Sequence, residues 1–300
     1  GTAASIDATG VLLQPWYFDN VTSGRNGWFK LTYSSYPLNF ALGVGGTSTA
    51  EWNNDGTIVS TGSSSYTSIA SLVVGQKINI AKYFEKTGTV VVTTTMNISG
   101  IGAVDIQNSY TLNANTNYLK AVTSFMNTSG SNLSNIRLWV GTQDDYAAIT
   151  DVNYKTTGNI TADGFTTIAN PTDNSNAIII SENTLSSDSG AAILFYSTTA
   201  GTNTISDQCC SFSNIIDKNP IASDIVTARE DGSYGIYLNL GTVSNGQSGS
   251  VTWYYAAAPV SEINNAVTQV ATSSGTISTP SAPVTTPPSV ISAIVNNTAV

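Results

Sequence analysis

Three hundred residues with 41% apolar content can fill the core of one large β domain or two ordinary ones, which excludes a chain that stays unfolded. Only 10% of residues are charged, the net charge is −9, and the ten Lys and Arg are scattered, so no phosphate-neutralising surface for nucleic acid exists and anionic membranes are disfavoured. Histidine is absent, and with it the commonest general base, the usual partner of Ser and Cys nucleophiles and the commonest zinc ligand.

Ser and Thr make 79 of the 300 residues. A surface built from hydroxyls rather than charges resists pH change, which suits a protein exposed to an uncontrolled exterior. The chain starts at Gly1 rather than Met, which fits a mature form whose leader has been removed. The longest apolar runs, such as Ala177-Ile178-Ile179-Ile180, are far shorter than a membrane span, so no membrane insertion is expected.

In chain order, residues 1–15 read as a polar N-terminal extended segment that ends in Val11-Leu12-Leu13. The run Pro15-Trp16-Tyr17-Phe18 then opens a β domain over 16–258, its aromatics closing a core. Gly27 to Tyr33 alternates as a strand, and Tyr36 to Leu42 follows with Pro37 confined to its start or edge. Asp55-Gly56 is a hairpin turn signal leading into Thr57-Ile58-Val59-Ser60. Further strands are expected at Ile69 to Val74, Lys77 to Ile80 and Thr89 to Met96. The last of these is β-branched up to its final residue, which disfavours helix. Tyr110 to Leu112 and Tyr118 to Phe125 add two more, and Asn127 to Asn132 is a turn cluster.

That turn delivers the chain to its central strand. Ile136, Leu138 and Val140 alternate there with Asn135, Arg137 and Trp139, which predicts one apolar face. The strand stops at Gly141 and passes into an acidic, aromatic loop, Gln143-Asp144-Asp145-Tyr146. Strands recur at Ala177 to Ser181, Ala191 to Ser197, Gly235 to Leu240 and Ser250 to Tyr255. One segment, 259–274, has helical spacing (Ile263, Ala266, Val267, Val270) behind a Ser261 N-cap, and Gly275 can end it. Residues 275–300 read as a stiff Thr/Pro-rich linker and a terminal apolar strand. The expected fold class is all-β: a large antiparallel β-sandwich, or two packed sandwich units, with one short C-terminal helix.

The candidate chemistry is sparse. Asp144, Asp145 and Asp151 are oxygen ligands close enough in sequence to hold calcium, and no other cofactor is expected. They lack an Asp-x-Asp-x-Asp-Gly register, so a solvated turn is the simpler reading, and nothing marks them as a glycosidase pair. No catalytic residue is assigned, and the chain is not expected to be an enzyme. Of the Asn-x-Ser/Thr triplets, those at Asn127 and Asn132 sit in a surface turn and are the glycosylation candidates. Cys209 and Cys210 are adjacent, and can be a vicinal disulfide, two reduced buried thiols, or bridges to other chains. Trp253-Tyr254-Tyr255 sends aromatics to both faces of a strand, where they either line the core or stack on sugar rings.

The phrases Ser134 to Tyr146, Gln208 to Asn214, and Asp231 to Leu240 through Val251 to Ala256 resemble segments of β-sandwich modules in large secreted surface and adhesin-type proteins. The resemblance implies an extracellular, non-enzymatic module; the expected location is extracellular or on a cell surface, a virion surface included. Two functions follow as expectations. The first is a structural component that assembles with copies of itself into filaments or lattices, a terminal segment (2–13 or 289–300) packing on a neighbour. The second is a carbohydrate-binding adhesin module whose partners are surface glycans.

Overall fold

The computed structural model describes residues 2–6, 12–45, 57–60, 66–73, 88–98, 100–113, 116–169, 174–209 and 229–277. The expected features at Val11, Asp55-Gly56, Lys77 to Ile80 and 278–300 lie outside these residues. The chain folds into three antiparallel sheets. The smallest joins β1 (Thr2–Ile6), β2 (Leu12–Asp19) and β3 (Gly27–Lys30).

A five-stranded sheet has the order β15 (Thr202–Gln208), β16 (Gly232–Val243), β10 (Leu133–Thr142), β4 (Asn39–Val44), β5 (Thr57–Ser60). A nine-stranded sheet runs from β12 (Gly164–Thr167) and β11 (Tyr154–Thr161) through β13 (Ala177–Ser181), β14 (Ala191–Ser197) and β17 (Ser248–Pro259). It continues through β9 (Tyr118–Asn127), β8 (Gly102–Leu112) and β7 (Gly88–Ile98) to β6 (Tyr66–Val73).

The nine-stranded sheet is covered on both sides at its central strands, which explains why their sequences are apolar without a break. Along β13, β14 and β17, Ile178, Ile180, Ile193, Phe195, Trp253 and Tyr255 pack with Phe40, Leu42, Leu138 and Ile236 of the five-stranded sheet. Their neighbours Ile179, Ala192, Leu194, Tyr196, Tyr254 and Ala256 face the opposite way, onto α1 (Ile263–Ser274), which contributes Ile263, Ala266, Val267 and Val270. Alternate residues of a strand serve alternate faces, so two covered faces require two apolar sets. The small Ala256 and Ala258 suit the close approach of the helix on one side. The architecture is the expected all-β sandwich with one short C-terminal helix.

Several details depart from expectation. The N-terminal segment, extended as expected and one of the two considered for packing on a neighbour, pairs within its own chain, β1 with β2 from Thr2↔Tyr17 to Ile6↔Leu12. Arg137 and Trp139 do not form a polar face: both are fully buried, because β10 is the middle strand of its sheet between β4 and β16. Arg137 fits because its register partner is Gly43, where a Cβ would stand 2.6 Å from the guanidinium Nε. Ser261 is no N-cap: a 3-10 turn (Val260–Glu262) follows Pro259, and Glu262 precedes α1 without a side-chain cap bond. Gly275 ends α1 in the left-handed conformation at φ 79°. Strands β11, β12 and β15 were not foreseen, because Thr, Asn and Gly dominate them and they alternate weakly.

Candidate functional site

The loop from β10 to β11 carries the chain from the five-stranded sheet to the nine-stranded sheet, and it concentrates the acidic residues. Asp145 is fully buried and Asp144 nearly so, while Asp151 is exposed. One carboxylate oxygen from each lies within 4.8 Å of the others. The backbone is strained here, with Ala148 at φ 55° and the β-branched Val152 at φ 60°. That conformation turns two consecutive N–H groups onto one carboxylate: Val152 N–H donates to Asp145 Oδ1 (3.0 Å) and Asn153 N–H to Oδ2 (3.2 Å). Lys155, also buried, donates from Nζ to Asp145 Oδ2, to the Asn153 carbonyl (3.0 Å) and to the Glu230 carbonyl.

Burial pushes the Asp145 carboxyl up to about 6 although the Lys155 ammonium pulls it down. Burial, and then the Asp151 charge, push Asp144 up to about 7. A cation at Asp145 would have to compete with the ammonium and two N–H donors already on its oxygens. Lys155 was missed in the sequence. Its only signal is a lone charge beside a Thr-rich strand.

Asn153 and Thr150 link this loop to a second cluster. Asn153 Nδ2 donates to the Asp145 carbonyl (2.8 Å), and Thr150 Oγ1 donates to Asn153 Oδ1 (2.6 Å). Thr150 also lines a cleft of about 540 Å³. Its walls include Thr22, Arg25 and Phe29 around the β2–β3 hairpin, Ile149, Glu182 and Asn183 after β13, Gly190 before β14, and Arg229.

Arg25 meets Glu182 through two parallel bonds, 2.7 and 2.9 Å, and its guanidinium lies 5.1 Å from the Phe29 ring centroid. Glu182 Oε2 also accepts Ala191 N–H at 2.5 Å. Behind Arg25, the buried Asp19 accepts the N–H groups of Val21 and Thr22 (3.1 and 3.0 Å). Burial alone would raise Asp19, but the Thr22 and Val21 hydrogen bonds and Arg25 together hold it below the usual carboxylate range. Ile149 at the rim is 61% exposed. None of these residues was singled out in the sequence, because a cleft assembled from three distant loops leaves no local motif.

The other sequence candidates fall elsewhere. Asn127 is fully buried and committed: Nδ2 donates to the carbonyls of Ser131 and Val243, both at 2.8 Å, and Oδ1 accepts from Ser129. It is therefore no site for a glycan on the folded protein, whereas Asn132 is exposed. Cys209 is disulfide-bonded, and Cys210, the other cysteine of the chain, lies outside the described residues. Trp253, Tyr254 and Tyr255 are all buried and so form no sugar platform. Trp253 Nε1 donates to Thr123 Oγ1 (3.0 Å), which donates to Asn108 Oδ1 (2.6 Å). Among the described residues, no helix is long and apolar enough to cross a membrane.

No protein-family model matches the chain, and no curated protein matches its sequence. Among solved structures, it is similar to an α-galactosidase from Lactobacillus brevis at 8% identity and TM-score 0.43, over 86% of this chain and 39% of that one. It is also similar to an α-N-acetylgalactosaminidase from Bifidobacterium bifidum (9%, TM-score 0.45, 85% of this chain and 36% of that one). A galactose mutarotase-like protein from Clostridium acetobutylicum matches at 8% identity and TM-score 0.43, over 86% of this chain and 92% of that one. The chain thus spans well under half the length of the two glycosidases, and at these scores the likeness carries no argument about function.

Proposed function

We propose that the chain is an extracellular, non-catalytic β-sandwich module that binds carbohydrate in the cleft around Arg25, Asn183 and Arg229. The observation that carries this reading is the cleft's composition: about 540 Å³ walled by an aromatic ring, a pre-organised guanidinium–carboxylate pair, an amide and hydroxyls. A sugar ring presents apolar C–H faces and a rim of hydroxyls, and a site holding few, rigid polar groups beside apolar surface matches both. The Arg25–Glu182 pair is already satisfied internally, so it shapes the wall, while among the other lining residues Asn183 is half-buried and Arg229 exposed. The loop carboxylates do not line the cleft, which supports binding rather than hydrolysis.

The test is a glycan array followed by titration of the best sugar. Saturable binding is expected, weakened about tenfold (~1.4 kcal/mol) in Asn183→Ala and Arg229→Ala with melting unchanged. Absence of saturable binding across the array, or binding indifferent to both changes, overturns the reading. Turnover of an aryl glycoside, lost in Asp144→Asn, would make the protein an enzyme instead.

One observation favours a second reading, a self-assembling surface, filament or virion component. Among the described residues no strand pairs with the outer edges of β12 and β6, the end strands of the nine-stranded sheet. Open edges accept a strand from a neighbour. Sedimentation and electron micrographs of the full chain should then show open polymers, and truncation after Gly275 should abolish them if the C-terminal segment supplies the strand.

A further inference from the structure

Lys155 and Asp145 are ten residues apart, both side chains are wholly buried, and each is the other's ionic partner. Burying two charges costs hydration that their attraction returns only in part. The surroundings treat the two groups unequally. The carboxyl is gripped by two N–H donors from a strained turn, while the amine is held by two carbonyls, of Asn153 and Glu230, on its other sides. From this geometry we infer that Lys155 and Asp145 condense into an intramolecular amide, a covalent bolt across the loop where the chain passes from the five-stranded to the nine-stranded sheet.

The step balances without any co-reactant. A proton passes from the ammonium to the carboxylate, leaving an amine against a carboxylic acid. The Nζ lone pair forms a bond to Asp145 Cγ, and the C=O pair moves onto Oδ1, where Val152 N–H stands 3.0 Å away to hold the negative charge. The tetrahedral species collapses by breaking Cγ–Oδ2. Oδ2 leaves as water carrying two of the three ammonium protons, and the third remains on the amide nitrogen, positioned to donate to the Asn153 or Glu230 carbonyl.

Asp144 and Asp151, each with a carboxylate oxygen within 4.8 Å of one on Asp145, are placed to relay protons to the departing oxygen. Asp144 retains its proton into the neutral range, as such a relay requires. In water the reverse reaction, hydrolysis, prevails. Here the reacting groups are held at an effective concentration of about 10⁵ M or more, and the product removes two buried charges.

The experiment is the denatured intact mass of the full chain together with two digests. The expected mass is one water below that of the disulfide-bonded sequence. Trypsin should fail to cut after Lys155, and chymotryptic cuts after Tyr146 and Tyr154 should leave two fragments still joined. A cyclic imide at Asp163-Gly164 or Asp231-Gly232 also lacks one water, but hydroxylamine opens an imide and spares an amide. Asp144→Asn should slow formation, leaving a mixture of the two masses, and Lys155→Met should carry its full sequence mass. The wild-type mass decides even if a variant fails to fold. A full-mass wild-type chain that trypsin cuts after Lys155 overturns the inference, and so does a water loss that hydroxylamine reverses.

Discussion

Arg25 and Glu182 lie 157 residues apart and meet through two parallel hydrogen bonds of 2.7 and 2.9 Å, joining the β2–β3 hairpin to the end of β13. Glu182 is nearly buried and also accepts Ala191 N–H, so one carboxylate serves the three-stranded sheet and the first residue of β14 together. Glu182→Ala would strand the guanidinium beside Asp19 and orphan the Ala191 donor. The expected loss is about 3 kcal/mol, read as a lowered urea midpoint at unchanged slope. A loss under about 1 kcal/mol would class the pair with ordinary surface bridges.

Asp144 makes stability depend on pH in an uncommon direction. Its folded-state value, raised by burial and the Asp151 charge, is about 7 against 3.8 unfolded, so the folded state holds the proton more tightly. This contribution is complete below the unfolded value and is lost as pH rises through the folded one. The melting temperature should therefore fall between about pH 4 and pH 7, and Asp144→Asn should flatten that fall. Asp19, held low, acts below this window, while Asp145, raised to about 6, and Asp231 are shifted upward like Asp144 and add to the same fall, so the difference between wild type and variant reads the share of Asp144. Equal slopes in wild type and variant would refute the assignment.

Gly235 has no room for a side chain. It pairs with Gly141 across β16 and β10, and a Cβ there would stand 2.5 Å from the Val140 carbonyl and 2.7 Å from Trp139 Nε1. Both obstacles are fixed, one by the strand ladder and one by a fully buried indole. Gly235→Ala is expected to cost about 3 kcal/mol or to prevent folding. Near-wild-type denaturant stability would show that the central sheet can yield.

Calcium removal supplies a further check. With Asp145 already saturated by Lys155 and two N–H groups, excess chelator should leave the melt unchanged. A fall of several degrees, restored by calcium, would show that a metal bound only to the folded state stabilises it by mass action.

Sequence by itself determined the strands whose side-chain pattern is set by neighbours along the chain. The runs Ala177 to Ser181 and Ala191 to Ser197 coincide with β13 and β14, and α1 lies where Ile263, Ala266, Val267 and Val270 recur at helical spacing. An unbroken apolar run is enough for the two strands and a helical period for α1, because burial on both faces or on one imposes each pattern. Local sequence was enough, too, to place Asp144, Asp145 and Asp151 in one acidic loop.

Only the tertiary structure decided which groups answer that acid. Lys155 meets Asp145 because the β10–β11 loop doubles back through left-handed Ala148 and Val152, conformations that no sequence period announces. Arg25 meets Glu182 because two sheets bring a hairpin against the end of β13. Arg137 looked solvent-facing by alternation and is buried because β4 and β16 flank it and Gly43 leaves space for its guanidinium. Pairing partners, and with them the fate of every lone charge, depend on contacts between residues far apart in the chain. Those contacts are set by the packing of whole sheets.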